Sequence, residues 1–384
     1  MGQRRGLSVP RGTGMPAAGR HAAPGAEQPP SPHRQGSIGW RPGEVVVVVQ
    51  LRNVSVESVA HVDAPVRVPS ADLVRRLQPA FDRTGIRPQL LAEVAGIRER
   101  RYWPEPVQVA DGAVQAAERA IAKAGLDRRK IGVLISTSVS RDYIEPSTAS
   151  VVHGALGLPH DCLNFDVGNA CLAFLNGMDI AGRMIETREV DFALVVDGEV
   201  SNHVTERTVE RLSGPDTTAE QVRAEFASLT LGSGAAAMVL GRAHEGSHRY
   251  RGSVARAATR FSHLCRGTMD RMVTDTHGIL HNGLMLAKET FADATTVFGW
   301  RGDLLDEYVL HQVSKVHTDA LVALLGIDPA KVFSLYAQYG NVGPAALPIV
   351  LSKLEEAGRL RPGGRIALLG IGSGLNCAMG EVVW

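Results

Sequence analysis

Three residues of types that together support acyl-transfer chemistry each follow a strand-like run of the sequence. Cys171 lies in the segment Asn164–Phe174, where a strand-like run ends and an apolar helix begins. A thiol at a helix N-terminus meets unpaired backbone N–H groups and the positive end of the helix dipole, so we expect its thiolate to be favoured. His311 and Asn341 lie downstream, each just past another strand-like run. These residue types in these places predict covalent catalysis through an acyl-cysteine.

Each of these residues also has an ordinary structural explanation. Cysteine is usually a packed core residue, a lone histidine is more often structural than catalytic, and Asn341 alone would be a turn asparagine. Small residues before Cys171 leave room for a substrate, and His311 ends a strand, where α/β sites form. The order Cys, His, Asn also occurs in papain-like proteases, but their nucleophile has a different context near the mature N-terminus. We expect core positions for the other cysteines, Cys162, Cys265 and Cys377.

Composition excludes several other classes of function. The 384 residues are 44% hydrophobic and carry a formal net charge of +1, so no broad basic field indicates nucleic acid or a membrane surface. The four cysteines show no CxxC pair or other metal-ligand spacing, which argues against a zinc site and fits a reducing cytoplasm. No run approaches the roughly 18 apolar residues of a transmembrane helix. Residues 1–43 are rich in Pro, Gly, Ala and Arg without periodicity, which predicts a disordered tail.

From Glu44 onward strand and helix patterns alternate, which predicts an α/β fold. The unit from Leu172 to Val196, a helix followed by a strand, resembles the unit from Ala345 to Leu369, and this weak match indicates an internal duplication with halves 44–245 and 246–384. The helix Leu172–Ile185 is apolar on most sides, so we expect it to be central. Further helices are predicted at Gly112–Ala124, Thr318–Leu325 and Ala345–Leu354. Strands are predicted at Val45–Val49 (buried), Ile131–Ile135, Phe192–Val196, Ala235–Leu240, Tyr308–Leu310, Val332–Leu335 and Arg365–Leu369.

Several ordered motifs resemble the thiolase-fold condensing enzymes, specifically the 3-ketoacyl-acyl-carrier synthase III branch. They are D-V-G-N-A-C-L-A-F around Cys171, H-Q-V-S from His311, Y-G-N-V-G-P-A around Asn341, G-I-G-S-G-L-N-C around Ser373, and G-I-R-E-R from Gly96 to Arg100. The resemblance covers the chain from about Val45 to Trp384. Within that branch, the segment Ser138–Thr148 is most similar to OleA-type thiolases, which join two acyl-CoAs head to head in olefin biosynthesis.

The resemblance implies a duplicated five-layered αβαβα fold and a homodimer that takes long-chain acyl-CoAs. It implies that Cys171 carries the acyl group, that His311 and Asn341 polarise thioester carbonyls, and that backbone N–H groups of Cys171 and Ser373 form an oxyanion hole. Decarboxylating relatives typically have a phenylalanine at the position of Glu145. An acid there fits an α-proton base acting across the subunit boundary, since a simple acyl-CoA must lose that proton. No metal or redox cofactor is expected.

Alternatives remain open at this point. A decarboxylating 3-ketoacyl-carrier synthase is the main one, and a non-catalytic thiolase-like subunit that binds acyl chains is another. The same condensation could serve a β-lactone natural-product pathway, so a downstream reductase or a lactone-forming enzyme are both candidate partners. The Trp and Arg that CoA-dependent relatives commonly place before G-I-R-E-R are here Leu90 and Val94. The CoA contacts are therefore unassigned, and candidates for them are Arg98, Arg100 and Arg101.

Overall fold

The computed structural model describes residues 47–384. The predicted tail, residues 1–43, lies outside the described part of the chain. The strands are β1 (Val47–Gln50), β2 (Val54–Asp63), β3 (Val66–Pro69), β4 (Glu99–Tyr102), β5 (Ile131–Ser136), β6 (Leu163–Asp166), β7 (Phe192–Glu199), β8 (Gly234–Arg242), β9 (His248–Ala257), β10 (Cys265–Gly267), β11 (Met272–Thr274), β12 (Glu307–Leu310), β13 (Arg365–Gly372) and β14 (Asn376–Val383). The helices are α1 (Ser70–Thr84), α2 (Val109–Ala124), α3 (Thr148–Leu156), α4 (Ala173–Glu186), α5 (Asn202–Leu212), α6 (Ala219–Glu225), α7 (Thr276–Phe298), α8 (Lys315–Leu325), α9 (Tyr336–Tyr339) and α10 (Ala346–Glu356).

The two halves of the chain repeat one strand order. In the first half the order across the sheet is β6-β5-β7-β8-β2. In the second half it is β12-β13-β14-β9, with the single residue Val332 bridged to Tyr308 on the far side of β12. Numbered along the chain within each half, both orders read 3-2-4-5-1. The pairs 3-2 and 2-4 are parallel, and 4-5 and 5-1 are antiparallel, in both halves. This shared topology agrees with the duplication inferred from sequence.

One predicted strand is nearly absent from this pattern. The prediction of a strand at Val332–Leu335 was wrong, because only Val332 pairs with its neighbour and the next helix starts at Tyr336. In the first half the equivalent strand, β6, has four residues. The corresponding strand of the second half is reduced to one bridge at the sheet edge.

The predicted first strand also differs from its description. Val47–Gln50 forms β1, but Val47 is 58% exposed and only Val49 is buried. The expectation of a buried strand was therefore wrong. This strand pairs with β9 alone, so it lies at an edge where one face and one side are open.

The fold has five stacked layers, three of helices and two formed by the halves of the sheet. The central core joins α4 and α10 to strands of both halves, through residues such as Phe174, Met178, Val350 and Leu351. On the outer face of the first half, α2 and α3 cover the sheet, and on the outer face of the second half α7 and α8 do so. The central place predicted for the first apolar helix is confirmed, since nine of its residues are buried. The predicted boundary at residues 245 and 246 falls between β8 and β9, and it stays a prediction.

The halves are joined edge to edge as well as face to face. Strand β2 pairs with β8 along its length, and its residues Ser55 and Val56 also pair with Arg249 and His248 of β9. Both halves therefore belong to one continuous sheet of ten strands. Within residues 47–384 no helix is both long enough and apolar enough to cross a bilayer.

Candidate active site

The site residues follow equivalent strands in the two halves. In the first half, β5 leads to the loop of Glu145, β6 leads to Cys171, and β7 ends at Glu199. In the second half, β12 leads directly to His311, while the Val332 bridge precedes Asn341. The turn after β13 holds Ser373. All these segments leave the carboxyl ends of strands 2, 3 and 4, where open α/β sheets bind ligands.

Cys171 sits in a tight turn between β6 and α4. The preceding residue, Ala170, has a φ of 46°, a left-handed conformation that costs energy for a residue with a side chain. The N–H groups of Leu172 and Ala173 bond back to the carbonyls of Asn169 and Ala170, at 3.1 and 3.0 Å. The turn therefore fixes the cysteine backbone before the helix begins. A strained residue held next to a nucleophile is a device of preorganised sites.

A second turn packs directly against this one. A Cβ built on Gly372 would lie 3.0 Å from the carbonyl oxygen of Asn169 and 3.4 Å from the backbone nitrogen of Cys171. Only glycine allows the two backbones this close approach. Asn376 tightens the contact, because its side-chain amide donates to the Asn169 Oδ1 at 2.9 Å. The turn bearing Ser373 is thus brought to the N–H of Cys171, as an oxyanion hole shared by the two residues requires.

The ionisation predicted for Cys171 was wrong. Burial, and after it the charge of Glu199, raises the pKa of the Cys171 thiol to about 12. The sequence argument counted the helix N-terminus but not the acids on β7, which lie 26 and 28 residues further along the chain. At neutral pH the free site holds a thiol, so its proton must leave as the sulfur attacks.

His311 is the neutral group available for such a proton, and the burial that keeps it neutral also makes it a weak base. Its residue is buried directly after β12, and its backbone N–H bonds to the Leu369 carbonyl at 2.9 Å. Burial, and then the neighbouring His317, lowers the pKa of the His311 imidazole to about 3. The ring is therefore neutral at pH 7, and its Nδ1 has no hydrogen-bond partner among the described residues. A neutral imidazole can either accept a proton or donate a hydrogen bond to a carbonyl.

Asn341 is held by backbone contacts in the loop after α9. Its N–H donates to the Thr230 carbonyl and its own carbonyl accepts from Gly232, both at 2.9 Å. Its side-chain Oδ1 accepts from the Gly343 N–H at 3.0 Å. The Gly343 backbone contacts His311 as well, as an acceptor for the imidazole, and this contact opposes the fall in the pKa of that ring. The structure thus brings the predicted histidine and asparagine segments together.

Glu145 occupies a different setting. It lies in an exposed loop between β5 and α3, beside Ile144, which is 93% exposed. The loop is tied at both ends. Asp142 accepts from the first N–H groups of α2, and Asp166 accepts from those of α3. The carboxylate of Glu145 is thus held out at the surface of its own chain.

Sequence reasoning missed two acids at the end of β7. Asp197 is wholly buried and Glu199 is 6% exposed. Burial raises the pKa of Asp197 well above its usual range and that of Glu199 to about 7. The signal was present, since V-D-G-E places two acids in a strand that is otherwise apolar. His317, which no sequence pattern singles out, lies close enough to lower the pKa of His311.

Other expectations need correction. Arg100 is fully buried and bonds to Ser70 and the Leu229 carbonyl, and Arg101 is also buried, so neither is an exposed contact for CoA. Arg98 is exposed. Cys162 and Cys377 are buried as expected, whereas Cys265 is only half-buried on β10. Among residues 47–384 no cluster of His, Cys, Asp and Glu side chains is arranged to hold a metal ion.

Fold and site together define a thiol-dependent acyltransferase built on a duplicated α/β sheet. Comparison with known proteins agrees. The family model described as 3-oxoacyl-[acyl-carrier-protein (ACP)] synthase III matches residues 165–258, and the one described as its C-terminal part matches residues 298–384. The chain is 56% identical to an acyl-CoA:acyl-CoA alkyltransferase of Xanthomonas campestris, covering 87% of this chain and 99% of that protein. It is 35% identical to the protein of that name in Shewanella oneidensis, over 86% of this chain and 99% of the relative.

Solved structures match equally well. A cysteine-to-serine variant of Xanthomonas campestris OleA with bound lauric acid and lauroyl-CoA has a TM-score of 0.86 and 56% identity, covering 87% of this chain and all of that one. Other structures of that OleA carry replacements of a glutamate or a histidine. The chain therefore belongs to the thiolase-fold condensing acyltransferases of the synthase III branch, in the group of acyl-CoA:acyl-CoA alkyltransferases. The fold class and the resemblance predicted from sequence are both confirmed.

Proposed function

We propose that the protein condenses two long-chain acyl-CoAs without decarboxylation, giving a 2-alkyl-3-ketoacyl-CoA and free CoA. The observation that carries this proposal is the pairing of an acyl-transfer site around Cys171 with an exposed acid, Glu145, on an apolar loop. The Xanthomonas relative supports it, because its name describes transfer between acyl-CoAs and one of its structures holds lauroyl-CoA. The cysteine, glutamate and histidine replaced in that relative are the same residue types as Cys171, Glu145 and His311.

The first stage is acylation of the cysteine. The Cys171 sulfur attacks the thioester carbonyl of one acyl-CoA while neutral His311 takes the thiol proton. The N–H groups of Cys171 and Ser373 bind the developing oxyanion, and one such donor is typically worth about 10²–10³ in rate. The tetrahedral intermediate then releases CoA, whose sulfur receives the proton from His311. The products are acyl-cysteine and CoA, and the imidazole is neutral again.

The second stage forms the carbon–carbon bond. Glu145 of a second copy removes an α-proton from the second acyl-CoA, and His311 and Asn341 hydrogen-bond to the enolate oxygen. The enolate carbon attacks the acyl-cysteine carbonyl, and collapse of that intermediate expels the Cys171 sulfur. The sulfur takes up a proton as Glu145 gives up the one it removed, so both groups return to their resting state. Every step is an acid–base or acyl-transfer step, so no redox cofactor takes part, and we propose that no metal is needed.

A homodimer is part of the proposal. Apolar side chains around Glu145 are exposed in the single chain, including Val139 and Tyr143 as well as Ile144. Leu163 on the adjacent edge strand β6 is 55% exposed. A cluster of this kind favours burial against another copy. Contact with a second subunit would also enclose Glu145, so that water is kept from the carboxylate while it acts as a base.

The proposal also covers the cellular compartment and the enzyme that takes the product. All four cysteines are free in the structure, which favours a reducing compartment, and we place the enzyme in the cytoplasm. The β-keto product suits either a downstream reductase of olefin synthesis or a lactone-forming enzyme.

A decarboxylating synthase remains the second candidate function, since the matching family models carry that name. The acid at position 145 argues against it, because a malonyl donor needs no base.

The test is incubation with myristoyl-CoA as the sole substrate, with CoA release and product mass measured. We expect two CoA equivalents per ketone, once the β-keto thioester hydrolyses and loses carbon dioxide. An absolute requirement for malonyl-carrier protein would reject the proposal. The Glu145→Gln variant should still show myristoyl-Cys171 by mass spectrometry but form product at least about 10²-fold more slowly, as expected for a lost general base. Product formation at the wild-type rate would remove Glu145 from the mechanism.

A further inference from the structure

The Glu199 carboxylate is a buried acid that the proposed reaction does not use. It ends β7 and accepts three hydrogen bonds from two residues of the loop after β5. The backbone N–H of Val139 donates at 2.6 Å, the N–H of Ser140 at 3.2 Å, and the Ser140 hydroxyl at 2.6 Å. The same hydroxyl accepts from the Val200 N–H at 3.2 Å. Glu199 thus fixes the backbone at the start of the loop that carries Glu145.

The next anchor along this loop leaves only a short exposed segment. Asp142 accepts from the N–H groups of Val109 and Ala110, at 2.7 and 3.0 Å, so it is held at the first turn of α2. After it comes Tyr143–Pro146, an exposed stretch that contains Glu145. The position of Glu145 is therefore set by the anchored residues on both sides of it, and Glu199 holds the first two of residues 139–142 on one side.

Glu199 also faces the reaction centre of its own chain. A Cβ built on Gly343, in the loop of Asn341, would lie 3.5 Å from the Glu199 carboxyl carbon. The charge of Glu199 is the main electrostatic contribution to the raised pKa of Cys171. Two roles for this acid are therefore possible in principle. One acts through the loop of Glu145, and the other acts on Cys171.

We propose that Glu199 is a positioning residue for carbon–carbon bond formation, which holds residues 139–140 so that Glu145 reaches the site of the second subunit. The inference rests on the proposed function, in which Glu145 is the base and acts across the dimer. It assigns the three hydrogen bonds to the condensation stage. Acylation of Cys171, which does not involve Glu145, is not served by them.

Mixed dimers separate the two roles, because the two subunits of one working site then differ. Chains with Cys171→Ala and chains with Glu145→Ala are co-expressed with different tags and purified over both. Each mixed dimer has one complete site, formed by Cys171 of one chain and Glu145 of the other. Myristoyl-CoA is the substrate, and ketone formation is measured. If this parent mixture makes no product although the wild type does, the action of Glu145 across the dimer is wrong, and that failure is seen before Glu199 is changed.

Glu199→Gln is then added to one chain at a time. In the chain that supplies Glu145, we expect product formation to fall roughly 10- to 100-fold, the loss typical of a misplaced catalytic group. In the chain that supplies Cys171, we expect no reduction. A loss that follows the Cys171 chain, an equal loss from both placements, or no loss from either would overturn the inference. Melting temperature and dimer content of each mixture are measured alongside, to identify a folding defect.

Ser140→Ala provides the second variant. It removes one of the three hydrogen bonds to Glu199 and leaves the carboxylate in place. It therefore tests the contact between Glu199 and residues 139–140 without altering the charge near Cys171. We expect a smaller loss, about 3- to 10-fold, from the same chain that shows the Glu199→Gln effect. Acylation, followed as the first burst of CoA from the Cys171-bearing chain, should be unchanged. A Ser140→Ala effect on that burst would contradict a role confined to condensation.

Discussion

At the scale of single residues, Cys171 and His311 both carry no charge at rest. The thiol has a pKa of about 12 and the imidazole a pKa of about 3, both chiefly because of burial. A thiolate–imidazolium pair would place two charges in the same enclosed site, which is unfavourable without water. In the proposed reaction we therefore expect proton transfer to be coupled to attack on a substrate carbonyl.

This arrangement predicts the pH dependence of chemical modification. Since the pKa of the Cys171 thiol lies far above neutrality, only the thiolate fraction reacts with iodoacetamide. We expect the rate at Cys171 to rise about tenfold per pH unit from pH 7 to pH 10 without a plateau. The measurement is mass spectrometry of the Cys171 peptide, with a free cysteine peptide as control, which levels off above about pH 8.5. A plateau at Cys171 near pH 8 would mean that the helix N-terminus prevails after all.

Residue identities were more predictable than their ionisation. Cys171, His311 and Asn341 could be picked out because each follows a strand-like run, a pattern local in the sequence. The raised pKa of Cys171 could not be predicted in this way, because only the folded chain brings Glu199 near that thiol. Arg100 illustrates the same limit, because a charged run suggests a surface, whereas this side chain is buried beneath the loop of Asn341.

At the scale of elements, the contact between two turns places the reacting groups. The turn of Cys171 and the turn after β13 belong to different halves and touch through Gly372 and the Asn169–Asn376 hydrogen bond. The helices and strands around them were largely predictable from periodicity, as α2, α4 and β13 indicate. The turn contact was not, because glycine patterns show that a close approach is possible but not what is approached. Val332–Leu335 misled for a related reason, since apolar periodicity does not reveal that a strand ends after one paired residue.

Gly372→Ala tests the turn contact. The new methyl group would lie 3.0 Å from the Asn169 carbonyl and 3.2 Å from the Leu172 nitrogen, both backbone atoms that cannot simply rotate away. We expect acylation of Cys171 by myristoyl-CoA to slow by about 10²-fold, as when one oxyanion donor is displaced. The matched control is Gly154→Ala in α3, where a Cβ meets nothing within 4 Å. Equal acylation rates in the two variants would show that the contact does not position the oxyanion hole.

At the scale of the whole molecule, one buried acid joins the halves. Asp179 lies on α4 of the first half and accepts from the hydroxyls of Tyr250 and Ser253 on β9 of the second, at 2.5 and 2.6 Å. Burial raises the pKa of Asp179 to about 6, from an ordinary value of 3.8. The folded state thus keeps this proton to a higher pH than the unfolded chain does. Its contribution to stability is full below pH 4 and is lost as the pH rises through 6.

Asp179→Asn should remove that dependence. The amide oxygen can still accept one hydroxyl, and the other hydroxyl can turn to accept from the amide nitrogen. Between pH 4.5 and pH 7.5 we expect the wild type to lose roughly 2–3 kcal/mol more unfolding free energy than the variant. Urea titrations at fixed protein concentration measure the difference. Parallel pH profiles for the two proteins would mean that Asp179 is ionised in the folded state throughout.

Strand β2, hydrogen-bonded on one side to β8 and at Ser55 and Val56 to β9, joins the two halves of the sheet directly. These hydrogen bonds oppose a hinge motion that would separate the two halves. Entry of a long acyl chain must then rely on small local movements of loops and side chains around the joined sheet. We therefore expect substitutions in those loops and side chains, and not in the strands of the sheet, to change which acyl chain lengths are accepted.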